Sequence, residues 1–164
     1  MAKWSLDLTK YAKKQKVAIQ EVRKAYAFAL YSSIVKNTPS GNPDFDQSSG
    51  RAKANWNVSV GSPDYSTTEK TMPPEQLKKV PDVKGDESIF ISNSLPYITT
   101  LEYGGYPKSP KKGSRTRPGI KPARYEIMSQ NGYSKKAPEG MVGKTLANNE
   151  NIFNAAVRKI KGNV

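Results

Sequence analysis

The fifteen residues from Ile91 to Gly105, ISNSLPYITTLEYGG, constrain the fold more than any other stretch of this chain. A β-type run, Ile89-Phe90-Ile91, stops at a polar corner, Ser92-Asn93-Ser94. Leu95-Pro96-Tyr97 then opens a short helical turn that ends at Tyr103 on a double glycine. Proline suits the first turn of a helix, where its missing N–H would be unpaired anyway, and glycine past the end accepts the left-handed cap conformation. The run therefore predicts a strand–corner–helix unit, so any sheet here is bordered by helix.

The rest of the chain supplies what that unit packs against. Residues 5–36 predict one long helix, with Ser5 as N-cap and Asp7 in the first turn. Tyr11, Ala18, Val22, Ala25 and Ala29 recur at threes and fours, with Ile19, Tyr26, Leu30 and Ile34 beside them. An alanine-rich seam allows close approach, so the helix is expected to lie flat on a sheet, and Asn37-Thr38-Pro39 ends it. A Pro/Gly/Asn/Asp/Ser loop follows, with Phe45 its single large apolar residue. Ala54, Trp56, Val58 and Val60 then alternate with Asn55, Asn57 and Ser59, predicting a strand over 53–61 with one face buried. Residues 64–86 are polar, with a short helix expected around Pro74–Val80, and a second strand is expected over 87–92. A final helix is expected over 138–161, with Met141, Val142, Thr145, Leu146, Asn149, Ile152, Phe153, Ala156, Val157 and Ile160 on one face and Gly162 as its stop. The fold class is α+β in a single domain: a long N-terminal helix and a C-terminal helix packed on a small, mainly antiparallel β-sheet, with a long basic loop.

Charge and composition narrow the chemistry. The 164 residues hold no Cys and no His, so thiol chemistry, disulfides, the commonest general base and the commonest transition-metal ligand are all missing. Hydrophobic content of 35% and a mean hydropathy of −0.73 are low for a compact monomer, which suggests that part of the chain is extended loop or surface covered only on assembly. No apolar run approaches the roughly 20 residues that span a bilayer, and no signal-peptide core stands near the N-terminus. The net charge of +13 is uneven. Residues 37–103 hold six basic and nine acidic residues, whereas residues 104–136 hold nine basic and one acidic.

That basic segment contains Lys108, Lys111, Lys112, Arg115, Arg117, Lys121 and Arg124 among four prolines and several glycines, which predicts a loop with a short strand at Tyr125–Met128. Three roles fit it: a solvated insertion, an arm that orders against neighbouring subunits, or a DNA-facing element. The docking arm is favoured, because disordered basic segments can fold on binding. Gly143-Lys144-Thr145 is not a phosphate loop, since that motif needs Gly five positions before the Gly-Lys pair and Pro138 stands there. No carboxylate group has a metal-ligand pattern, and no cofactor is implied. Trp56 and Tyr97 are expected in the core, Trp4 against a neighbouring subunit, and Arg51 on carbonyls or a carboxylate.

Asn93-Ser94-Leu95-Pro96-Tyr97 with Leu101-Glu102-Tyr103-Gly104 resembles the "N-x-LPY-x-x-x-LE-x-G" signature of the neck, or minor tail, proteins of long-tailed bacteriophages, the minor-tail-Z-like tail-completion and head–tail joining family. Gly50-Arg51-Ala52-Lys53-Ala54-Asn55-Trp56 is similar to the family's "TGR-x-R-x-x-W" at the start of its first strand, after a Thr38-Pro39 that ends the long helix. Ala137-Pro138-Glu139-Gly140-Met141-Val142 is similar to the "APxGMV" that starts the last helix. The three stretches stand in the family's order. The stretch between the second and third is longer than is usual there, as though residues had been inserted.

The resemblance implies a structural, non-enzymatic virion protein of the neck, assembled in the host cytoplasm. It implies a ring of identical subunits, hexameric in the family's context, between the head connector and the tail terminator or tail tube, around the channel for genomic DNA and without a membrane. Glu102 is then a retained structural position, and Gly50, Arg51, Trp56, Asn93, Leu95, Pro96, Tyr97, Leu101, Gly104, Pro138, Gly140 and Met141 are structural with it. The alternative is a small basic protein that binds nucleic acid without sequence specificity; it rests on charge alone, with no known nucleic-acid-binding signature visible.

Overall fold

Residues 2–37 are rich in alanine, lysine and other good helix formers and hold no glycine or proline, and they form one continuous helix, α1 (Ala2–Asn37), roughly 54 Å long. The computed structural model describes residues 2–40, 50–69, 77–105, 129–130, 133–134 and 137–161. The helix starts before the expected Ser5 cap, and its first turn carries no acidic residue, so Ser5 and Asp7 lie inside it. Nothing in Ala2-Lys3-Trp4 breaks a helix, so propagation outruns the modest preference for a serine cap. The side chains of Trp4, Tyr11 and Ala18 lie outside the described residues, as do the loop from 41 to 49, the strand expected at Tyr125–Met128 and Gly162; of the short helix expected around Pro74–Val80, residues 74–76 lie outside them and residues 77–80 are not helical.

Gly50 adopts φ 97°, a left-handed conformation that favours glycine, and caps a single helical turn, α2 (Arg51–Ala54). The first strand is therefore shorter than expected: β1 (Asn57–Val60) begins only after the turn is closed by the backbone N–H groups of Asn55 and Trp56, which donate to the Arg51 and Lys53 carbonyls respectively. Arg, Ala and Lys favour helix, and this local preference wins over the alternating pattern at 53–55. β2 (Ile89–Ser92) pairs antiparallel with β1, in the register Asn57 with Ser92 and Val60 with Ile89. The polar corner leads into α3 (Ile98–Tyr103), where Pro96 precedes the N-cap Tyr97 and Gly104 closes the helix at φ 77°.

A two-residue hairpin, β3 (Ser129–Gln130) with β4 (Tyr133–Ser134), sits within the stretch expected to be loop. The C-terminal helix is divided in two: α4 (Val142–Ala147) and α5 (Asn149–Lys161). Asn148 interrupts it, bonding back to Thr145 through its N–H and supplying the carbonyl that starts α5. Asparagine competes for backbone hydrogen bonds, so Asn148-Asn149 breaks a run whose apolar periodicity is otherwise unbroken. The break leaves Leu146, expected on the buried face, 54% exposed.

The fold class is α+β, with a long N-terminal helix and C-terminal helices packed on a small antiparallel sheet. α1 makes its most extensive contact with α5, where Tyr26 meets Phe153 edge-on, rather than lying flat on the sheet. It reaches the sheet through Tyr31, Ile34 and Val35, which share one core with Ala52, Trp56, Leu95, Leu101, Ala137 and Met141, flanked by Val58 and Ile91. The buried face of α1 thus runs through Ala27, Tyr31, Ile34 and Val35, and Thr38 just past its end is buried with them. Among the described residues of the expected stripes only Ile34 belongs to it, and Ile19 is 57% exposed. Spacing alone marks several faces of so alanine-rich a helix; the large residues between 31 and 35 decide which one is buried.

Candidate functional site

Three joints gather the residues singled out by sequence. In the first, the six-residue α4 has no side-chain cap of its own. Its leading amides would be left without partners, as at any helix start. Glu102 supplies those partners from 40 residues away: Oε2 accepts the N–H groups of Met141 and Val142 at 2.8 Å each, and Oε1 accepts that of Gly143 at 2.7 Å. A carboxylate offers only acceptors and a helix start only donors, and the dipole favours negative charge there. Leu101 and Met141, both buried, close the joint from the apolar side.

Gly140 is what lets the two segments meet. It sits at φ 73°, and a Cβ built there would stand 2.5 Å from the backbone oxygen of Glu102. Any larger residue would meet backbone. Pro138 is exposed and stands at the rim of the joint.

The second joint links the end of α1 to α2 and the sheet. Trp56 donates its indole N–H to the Thr38 hydroxyl at 2.8 Å, and that hydroxyl donates to the Ile34 carbonyl at 2.7 Å. Nearby, Asn93 donates to the Ala52 carbonyl at 2.9 Å and accepts the Leu95 N–H, which shapes the corner and ties it to α2. Leu95 is buried beneath it. Arg51 pairs with the Glu69 carboxylate, an exposed contact of small energetic weight. Tyr97 corrects an expectation: it is 40% exposed, because the turn at Pro96-Tyr97 directs Leu95 and Leu101 inward instead. Partial burial still pushes its phenol pKa up, opposed by the Arg51 charge, with a smaller upward push from Glu69.

The third joint was not expected. Asn55 and Asn57, assigned to the solvent face of the first strand, are both buried, Asn55 at 0% exposure. Asn55 exchanges hydrogen bonds with Thr68, accepting its N–H at 2.7 Å and donating to its carbonyl at 2.9 Å, and it also donates to the Arg51 carbonyl. Asn57 donates to the Ser66 carbonyl at 2.8 Å and accepts from the Lys78 ammonium. Residues 64–68 therefore lie across the second face of β1. Loss of water pushes the Lys78 pKa down, and the Asp64 charge opposes it. The sequence signal was available: asparagine is depleted in strands, and two of them flanking a tryptophan mark a position that needs a different explanation.

Chemically these joints hold backbone. The Glu102 oxygens are committed to amides, and among the described residues no group of three or more His, Cys, Asp or Glu could hold a metal ion. No described helix is long and apolar enough to cross a membrane. Lys108, Lys111, Lys112, Arg115, Arg117, Lys121 and Arg124 lie outside the described residues. Comparison with protein-family models, with curated proteins and with solved structures returned no match for this chain.

Proposed function

We propose that this chain is a structural, non-enzymatic protein of the neck of a long-tailed bacteriophage, a tail-completion or head–tail joining subunit. In this reading it forms a ring, most simply a hexamer, between the head connector and the tail terminator or tail tube, surrounding the channel for genomic DNA in the virion. The observation that carries the reading is the coupling of the three signature stretches. Thr38 bonds Trp56, Asn93 bonds Ala52, and Glu102 bonds Met141, Val142 and Gly143. Residues that resemble a family's wording and hold one another are an architectural set, as expected of a scaffold whose work is done by interfaces.

Two further features support it. A two-stranded sheet is marginal on its own in water, and burial between subunits would relieve that. The low apolar content has the same remedy, and rings arise when heterologous contacts close. The basic segment serves as the docking arm: deleting residues 107–124 should preserve the fold by circular dichroism and thermal melting while weakening assembly, and a deletion that no longer folds would refute that role.

Electron microscopy of particles made when the gene is silenced in the infecting phage tests the whole reading. Filled heads and separate tails that fail to join are expected. Normal, joined virions would sink it and leave a basic nucleic-acid-binding accessory protein as the leading alternative.

A further inference from the structure

Where α1 ends and α4 begins, the two leave a cleft of about 310 Å³ between them. Lys36, from the last turn of α1, and Lys144, one turn into α4, both line it. Between them the wall is Thr38, Pro39, Ala137 and Pro138. We propose that this cleft is a binding site for the carboxylate side chain of an acidic peptide segment on a partner protein.

Four observations converge on that ligand. The first is charge. Neither lysine makes a hydrogen bond or ion pair with a described residue, and among the described residues no acidic one lines the cleft. Glu139, between two residues of the wall, is exposed and not part of the lining. Two lysines lining one concave surface raise the local concentration of anions there. The second is rigidity. Gly140 is pinned against Glu102, Thr38 is held by Ile34 and Trp56, and Ala137 and Thr38 are buried, so the walls stand ready before a ligand arrives.

The third is what the cleft does not offer. The leading amides of α4 are already taken by Glu102, so the site relies on the lysine ammonium groups and not on a helix start. The fourth is shape and lining. The volume lies at the low end for small-ligand sites, roughly 300–1,000 Å³. It suits one side chain and its neighbours. Nucleic-acid grooves join a run of cations to aromatic platforms on which bases stack. Among the described residues this cleft has two lysines and no aromatic residue, with proline and alanine walls that suit the methylenes of Glu or Asp.

The test uses the full 164-residue protein labelled with 15N. Blocked peptides acetyl-Glu-Asp-Glu-amide and acetyl-Gln-Asn-Gln-amide, and a 12-base-pair DNA duplex, are titrated separately while backbone amide shifts are followed. The acidic peptide should move the amides of Lys36, Asn37, Gly140 and Lys144 with a saturating curve, and the neutral peptide should leave them still. In the double variant Lys36→Gln, Lys144→Gln the acidic peptide should bind at least tenfold more weakly, with the remaining spectrum unchanged. A separate variant, Lys24→Gln, should bind as the parent does. The proposal is overturned if the cleft amides do not respond, if the double variant and parent respond alike, or if the duplex moves these amides at lower concentration than the peptide.

Discussion

Glu102 and Asn55 perform the same service by different chemistry. Each reaches from one segment to the backbone of another and satisfies groups that would otherwise go without partners. Glu102 meets a helix start, where every free group is a donor, and a carboxylate answers with acceptors alone. Asn55 meets the extended backbone at Thr68, which presents one donor and one acceptor, and an amide answers with one of each. The residue type at each joint follows from the backbone it faces. Exchanging the two chemistries should therefore fail at both places, and unequally.

The largest loss is expected from Asn55→Asp. It removes the donor to Thr68 and Arg51 and places a charge at a site with no exposure, which should cost about 3–4 kcal/mol in urea denaturation. A loss below about 1 kcal/mol would mean that the return segment gives way and the contrast with Glu102 is false. Next comes Gly140→Ala, where a methyl group would meet the Glu102 backbone in a left-handed conformation; about 3 kcal/mol is expected. Gly85→Ala is its control, with a left-handed φ but open space around the added carbon, and should cost about 1 kcal/mol. Equal losses would show that conformation alone, and not the approach to Glu102, demands glycine.

Glu102→Gln keeps the shape and loses the charge and one acceptor, so an amide NH2 would confront backbone donors. About 2 kcal/mol should be lost, with α4 showing faster hydrogen exchange at Met141–Gly143 than at the Asn55 joint. The smallest effect concerns the core between the joints. Burial raises the Tyr31 phenol above its ordinary 10.0, opposed by the backbone N–H of Lys78, which its oxygen accepts. The folded state thus favours the neutral phenol; its contribution is complete below pH 10 and lost as pH rises through the raised value. The stability gap between the parent and Tyr31→Phe should therefore narrow from pH 9 to pH 11 in chemical denaturation. A gap that widens would reverse the sign assigned to burial.

Much of this framework was legible in the linear chain. Trp56 is in the core, and the double glycine ends α3. These follow from local rules in which spacing, proline and glycine act over one turn. The errors have a common physical cause. Asn55 and Asn57 were given to solvent because alternation treats polar residues as exposed, whereas residues 64–68 return to cover them. Tyr97 was placed in the core because it is large and apolar, yet the turn that buries its neighbours turns it outward. The final helix read as continuous because its apolar period runs through Asn148, where a backbone hydrogen bond stops it.

By itself, then, the sequence determined the α+β class, the order of the long helix, the two paired strands and the C-terminal helical segment, the corner at Ser92–Ser94 and the charge segregation, since these depend on local propensity and composition. The tertiary structure alone decided which face of α1 is buried, which polar residues leave water and which amides Glu102 receives. Those outcomes depend on segments 10 to more than 100 residues apart meeting at hydrogen-bond distance, as Asn55 meets Thr68 and Ser33 meets Thr145. A polar side chain carries no mark of whether its partner will be water or a distant backbone; packing makes that choice by removing the water.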